Sequence, residues 1–144
     1  MKYLTEFTTR VLLAVIMALS FTACDNDDDL EEIFTGKNWN LTFIQNGTER
    51  LVPQQEGYTL IFSNADFVFT TPNAAVMISG NWYADGESRS FGCNEIVTSG
   101  DIENDAVAKA ALNILRNSAM YNGDANWIQI VEQPGNIYMQ FYNR

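Results

Sequence analysis

Two periodicities divide this chain. From Ile33 onward, apolar residues mostly recur at every second position in short runs, and in one stretch they recur at three- and four-residue spacing instead. Asn38–Phe43 alternates strictly and puts Trp39, Leu41 and Phe43 on one face, which predicts a half-buried strand ended by Asn46-Gly47, with Pro53 closing the next loop. Tyr58–Phe62 and Phe67–Thr70 are short aromatic and β-branched runs around Ser63-Asn64-Ala65-Asp66, the pattern of a hairpin with a four-residue connection. Val76–Ala84 and Glu87–Phe91 flank Asp85-Gly86, which predicts a two-residue type I′ hairpin, since that turn needs positive φ at both central positions. Asn126–Glu132 and Asn136–Tyr142 flank Gln133-Pro134-Gly135 and predict a last hairpin.

Between Asp105 and Ala119 the period changes. At 100° per residue Val107, Ala108, Ala111, Leu112, Ile114, Leu115 and Ala119 fill an arc of about 160°, with Asp105, Lys109, Asn113, Arg116 and Asn117 on the rest. This is an amphipathic helix, expected to lie on the concave face of the sheet, with Asp101 or Asn104 as its cap and an Asp105–Lys109 pair along its side. The fold class is therefore α+β: a curved antiparallel sheet with one amphipathic helix packed on it. A lipocalin-like barrel is the competing architecture, but it would need about eight strands before the helix, where five or six can be read here.

Composition then removes whole classes of chemistry. The chain has 144 residues and no histidine, which excludes Ser-His and Cys-His nucleophiles and His-bound zinc. Eight Lys and Arg against eighteen Asp and Glu give a net charge of −10, which argues against a nucleic-acid partner. No cofactor is expected.

The N-terminus reads as an address. Lys2 and Arg10 precede the uncharged run Val11–Phe21, too short to span a bilayer and followed at once by acids, so residues 1–23 are expected to be a signal peptide that is removed. Phe21-Thr22-Ala23-Cys24 resembles a bacterial lipobox, which implies lipidation of Cys24 and a membrane contact through it. Asp25, Asp27, Asp28 and Asp29 follow, then Glu31 and Glu32, a density of like charge that should keep residues 24–33 extended as an acidic tether. The run is similar to the acidic export signal of Bacteroidota-type lipoproteins, which implies an outer-membrane protein facing the cell exterior. Asp25-x-Asp27-x-Asp29 has calcium-loop spacing, but Leu30 and Gly36 stand where an EF-hand needs Gly and Glu.

With Cys24 lipidated, Cys93 is a lone thiol without neighbouring cations and is expected to be core. Residues 34–144 form one domain. Gly36-Lys37-x-Trp39-x-Leu41, the run Tyr58–Phe62, the Gly92-Cys93-Asn94 triplet, and the passage from the helix through Tyr121-Asn122-Gly123 to Trp127 and Ile137–Tyr142 resemble the META or HslJ-like domain of small bacterial lipoproteins. That family implies an envelope role and no established chemistry.

Three Trp, six Tyr and nine Phe are a heavy aromatic load. Trp39, Phe43, Phe67, Phe69, Trp82, Trp127 and Phe141 fall at strand spacing and are expected in the core. Tyr83, Tyr138 and Tyr142 have the opposite parity and are the candidate ligand-contact aromatics of a sugar-stacking or lipophilic surface. Asp85, Glu87 and Glu95 near one hairpin could serve acid–base chemistry but read as solvated turn residues. Asp101-x-Glu103-x-Asp105 reads as helix N-terminal charge rather than a metal site. The expectation is a non-enzymatic interaction or ligand-binding domain with no catalytic or metal residues, a protein or glycan partner of open identity, and a carboxylate-dependent, glycosidase-like envelope hydrolase as the alternative.

Overall fold

The computed structural model describes residues 28–144. The signal peptide, Cys24, Asp25 and Asp27 lie outside the described residues. Along the chain come α1 (Leu30–Phe34), β1 (Trp39–Asn46), β2 (Glu49–Leu51), β3 (Thr59–Phe62), β4 (Asp66–Thr70), β5 (Val76–Ala84), β6 (Phe91–Gly100), α2 (Ala106–Asn117), β7 (Met120–Gly123), β8 (Trp127–Gln133) and β9 (Ile137–Asn143). The strands make one antiparallel sheet in the order β6-β5-β4-β3-β1-β9-β8-β7, with β2 paired to β1. It curls into a half-barrel whose two ends touch at a Ser90–Met120 bridge. The expected α+β class, with a curved antiparallel sheet and one main helix, is what forms.

Inward positions build the core. Trp39, Ile44, Leu60, Phe62, Phe67, Phe69, Ile78, Ile128, Ile130, Met139 and Phe141 are buried from the sheet, and Ala108, Ala111, Leu112, Ile114 and Leu115 close over them from α2. The helix stripe is thus read correctly. Its cap is not: Asp105 itself accepts from the Ala108 amide at 3.0 Å. Lys109 pairs with Glu103 at 2.7 Å rather than with Asp105, whose other oxygen accepts from the Tyr58 hydroxyl at 2.9 Å.

Three strand expectations are corrected. A bulge between Leu41 and Phe43 inserts Thr42 as an extra residue, so Ile44 turns inward beside Met139 while Phe43 turns outward. The run Glu87–Phe91 is not a strand: Asp85–Ser90 is one loop, closed by Asp85 N–H to Ser90 O at 3.0 Å and Arg89 N–H to Asp85 O at 2.8 Å. The partner of β5 is β6, whose Asn- and Gly-containing sequence hides its strand character. Arg89 takes the positive φ of 59° that was expected at the Asp-Gly pair.

The acidic segment is also not extended throughout. Asp29 caps α1 by accepting from the Glu32 amide at 3.1 Å. One turn later Phe34 is fully buried, with Phe62 at 5.1 Å, Trp82 at 5.0 Å, Phe91 at 5.7 Å and Tyr121 at 4.9 Å between ring centroids. Those partners come from β3, β5, β6 and β7, so one ring from the N-terminal segment rivets both ends of the curled sheet.

Candidate functional site

The outward face of β7, β8, β9 and β1 is a grid set by strand register. One row runs Asn40, Tyr142, Trp127; the next Phe43, Gln140, Gln129, Asn122; the third Gln45, Tyr138, Val131, Met120. Val131 is covered, and not one residue of these rows carries a charge, in a chain whose net charge is −10. The middle row is ordered by hydrogen bonds that run one way: Asn122 donates to Gln129 at 3.4 Å, Gln129 to Gln140 at 2.9 Å, and Gln140 to the Tyr142 hydroxyl at 3.3 Å. Because Tyr142 accepts in this chain, its own O–H is left to donate outward. An amide can donate two and accept two hydrogen bonds, so Gln129 and Gln140 each keep an N–H and a lone pair for another molecule.

Rings flank the amides on both sides. Tyr138 packs edge-on against Phe43 at 5.8 Å, and the Arg50 guanidinium lies 4.0 Å over the outer face of Phe43 while donating to Gln45 at 2.9 Å. At the other margin Tyr142, 44% exposed, borders a cleft of about 300 Å³ that also takes in Asn40, Thr42, Gln54, Glu56 and Arg144. Glu56 and Arg144 pair across its mouth at 3.4 Å. Tyr58 lines the cleft from below; burial, with the hydrogen bond to Asp105, pushes its hydroxyl up to about 12, so it stays a neutral donor.

The three aromatics singled out from parity are therefore not one patch. Tyr138 and Tyr142 share the grid. Tyr83 lies elsewhere: it is 59% exposed, and its ring crosses Gly92 so closely that a Cβ there would meet it at 2.2 Å. An aromatic laid over a cross-strand glycine is accounted for by the sheet itself. Among the expected core aromatics, Trp39, Phe67, Phe69 and Phe141 are buried, whereas Phe43, Trp82 and Trp127 are only partly so. Phe43 and Trp127 belong to the grid: Phe43 because the Thr42 bulge inverts parity on β1, and Trp127 because Ile128 and Ile130 take the inward positions of β8.

Apart from Glu87, the acidic candidates are engaged locally. Asp85 accepts from the Glu87 amide at 2.8 Å, and Glu95 from Asn81 at 3.1 Å. Asp101 holds Asn104, and Glu103 holds Lys109. Among the described residues no three His, Cys, Asp or Glu side chains gather as metal ligands. Burial pushes the half-buried Cys93 thiol up to about 12, which leaves almost no thiolate near neutral pH.

Of the acidic run, Asp28 has a definite place. One of its carboxylate oxygens accepts from the Tyr121 hydroxyl at 2.7 Å and from Arg89 at 3.0 Å, and the Asp28 amide donates to Gly86 O at 3.2 Å. The Tyr121 hydrogen bond, with Arg89 beside it, outweighs desolvation and holds this carboxyl below its usual range. Gly86 has to be glycine for this approach, since a Cβ would meet Asp28 O at 2.6 Å.

A family model described as a domain of unknown function, DUF4847, matches residues 25–143. The chain belongs to the DUF4847 family. Its first matched residues are those of the acidic run, in keeping with the docking of Asp28, Asp29 and Phe34 onto the sheet. The crystal structure of a DUF4847 family protein from Bacteroides vulgatus ATCC 8482 is similar at 20% identity and a TM-score of 0.60, over 78% of this chain and 96% of that one. That likeness shows a shared fold. Among curated proteins none matches the chain. The META or HslJ-like likeness of the short motifs stays a resemblance, since the family that matches is DUF4847. Among the described residues no helix is long and apolar enough to cross a membrane.

Proposed function

We propose that this DUF4847 domain works by binding rather than by catalysis, at the outer surface of the outer membrane, where Cys24 anchors it through lipid. One observation carries the binding reading: the β7–β8–β9–β1 face is built from large rings and hydrogen-bonded amides, groups suited to recognition, and a solvated strand face has no need of them. The address rests on the lipobox-like residues ending at Cys24 and the acids after it, and the META or HslJ-like motifs agree with an envelope role. Four Cα–Cα steps lead from Cys24 to Asp28, a reach of about 14 Å at most, so the fold would stand close to the lipid. Several acyl chains would hold it firmly, where one alone would be marginal.

Labelled fatty acid should enter the wild type and not Cys24→Ser, and protease added to intact cells should digest the domain. Because Asp28 and Asp29 also hold the fold, the export signal is tested with Asp25→Ala and Asp27→Ala together, which should leave the domain lipidated but protected from protease. A photo-crosslinking residue at Gln140 should capture envelope material on intact cells, and one at Val97, 65% exposed on β6, should not. A protected wild type would remove the surface assignment, and equal crosslinking at both positions would remove the binding face.

A further inference from the structure

The composition of the grid narrows the class of ligand. An anionic polymer would be repelled by a chain of net charge −10, and the grid offers it no cation among its outward positions; Arg50 and Arg144 stand at opposite margins, each already engaged, with Phe43 and Gln45 in one case and Glu56 in the other. A purely apolar ligand would bury amides that keep unsatisfied N–H groups and lone pairs, which costs free energy for each. A neutral ligand that has apolar faces and many hydroxyl groups at once meets both conditions. A pyranose ring has both: its C–H face packs on an aromatic ring, and its equatorial hydroxyls each donate and accept.

We infer that the β7–β8–β9–β1 face binds a neutral polysaccharide. This rests on the binding reading above and names its ligand class. Trp127 and Tyr142 are direct cross-strand partners and place two aromatic side chains at the cleft end of the grid; at the other margin Tyr138 lies edge-on to Phe43, whose face Arg50 covers. The Asn122–Gln129–Gln140 row runs between these two pairs across three strands. Its uniform direction makes the Tyr142 O–H a donor at the cleft, where Asn40, Thr42 and Gln54 add neutral donors and acceptors. The cleft, at about 300 Å³, is at the small end of ligand-sized pockets and suits one sugar residue, with the rest of a chain lying on the open face. An extended occupant fits an open strand face better than a small molecule does, because a small ligand needs enclosure to bury most of its surface.

The test is native electrophoresis of the full chain in detergent through gels containing one polysaccharide each: dextran, hydroxyethyl cellulose and mannan as neutral probes, polygalacturonate as the anionic one. At least one neutral probe should retard the chain, and polygalacturonate should not. Trp127→Ala and Tyr142→Ala should each weaken that retardation about tenfold or more. Gln140→Leu, which keeps the packing volume and removes the amide, should weaken it several-fold. Tyr83→Ala, an exposed ring on another surface, should bind as the wild type does. If no neutral probe retards the chain, or if Tyr83→Ala loses as much as Tyr142→Ala, the inference is overturned. Crosslinking confined to Gln140 in the envelope experiment, together with no retardation, would keep the binding face and reject the glycan. Failure of both would reject the two together.

Discussion

The two halves of the curled sheet have the same inside and different outsides. Inward, both carry ladders of buried apolar residues: Leu60, Phe62, Phe67, Phe69 and Ile78 in β3–β5, and Ile44, Ile128, Ile130, Met139 and Phe141 in β1, β8 and β9. Outward, β3–β6 present Ile61, Val68, Ser79 and Val97 in one row and Thr59, Thr70, Met77 and Ser99 in the next. Apart from Met77 the residues of these two rows are small hydroxyl or β-branched side chains, and Thr59 and Thr70 bridge their hydroxyls at 2.8 Å. Strand preference alone explains these two rows; the third, Asp66, Asn81 and Asn94, is polar and carries charge, with Asn81 donating to Glu95 at 3.1 Å. The outward face of the other half holds Phe43, Trp127, Tyr138 and Tyr142 around a directed row of amides, side chains that lose more rotamer freedom when ordered and that folding does not require. The difference separates what the sheet needs to form from what it displays.

The largest effect is expected where the halves are joined. Phe34→Ala removes the ring that touches Phe62, Trp82, Phe91 and Tyr121 and should cost about 3–5 kcal/mol in denaturant unfolding, enough to use up much of a small domain's stability. Leu112→Ala on α2 should cost about 2–5 kcal/mol, at the lower end because Leu112 is 8% exposed beside an open groove, while Asn113→Ala should cost little. Equal melting curves for these two would show that the helix face has been misassigned.

The Asp28 latch gives a smaller effect with a definite pH dependence. Its folded-state pKa lies below the unfolded value, so the latch contributes stability above the unfolded pKa and loses it as pH falls through the folded one. The stability gap between wild type and Asp28→Asn should therefore be flat from neutral pH down to about 5 and shrink below about 4. A gap that does not change with pH would mean that the carboxylate is solvated and the latch open. The smallest stability effect belongs to the displayed face: Gln140→Ala and Tyr142→Ala should shift unfolding by about 0.5 kcal/mol or less, as ordinary surface changes do.

The helix and most of the strands were legible because both halves obey the same inward periodicity, and α2 shows its stripe without interruption from Val107 to Leu115; β6 was not, because its Asn and Gly residues break the alternation. The site was only half legible. Tyr138 and Tyr142 could be picked out by parity, but Phe43 could not, because a single extra residue at Thr42 moves every later side chain of β1 to the other face. The amide row was invisible for a different reason: Asn122, Gln129 and Gln140 lie on three strands, and only register brings them side by side. Asp28 and Phe34 were hidden by composition. A run of six acids in eight residues reads as a solvated tether, yet Asp29 caps a helix and Asp28 finds Arg89 and Tyr121. Charge density describes the average behaviour of such a segment and says nothing of two particular carboxylates with partners waiting on the sheet.

The side-chain amide protons of Asn and Gln offer the most direct test that the two outer faces differ in role. In the isotopically labelled full chain in detergent, titration with the neutral polysaccharide that retards it should shift the amide side-chain signals of Asn40, Gln129 and Gln140 together with the Trp127 indole N–H. Asn81 and Asn94, on the outer face of β5 and β6, should hold their positions. Shifts spread evenly over both faces, or confined to Asn81 and Asn94, would contradict the account.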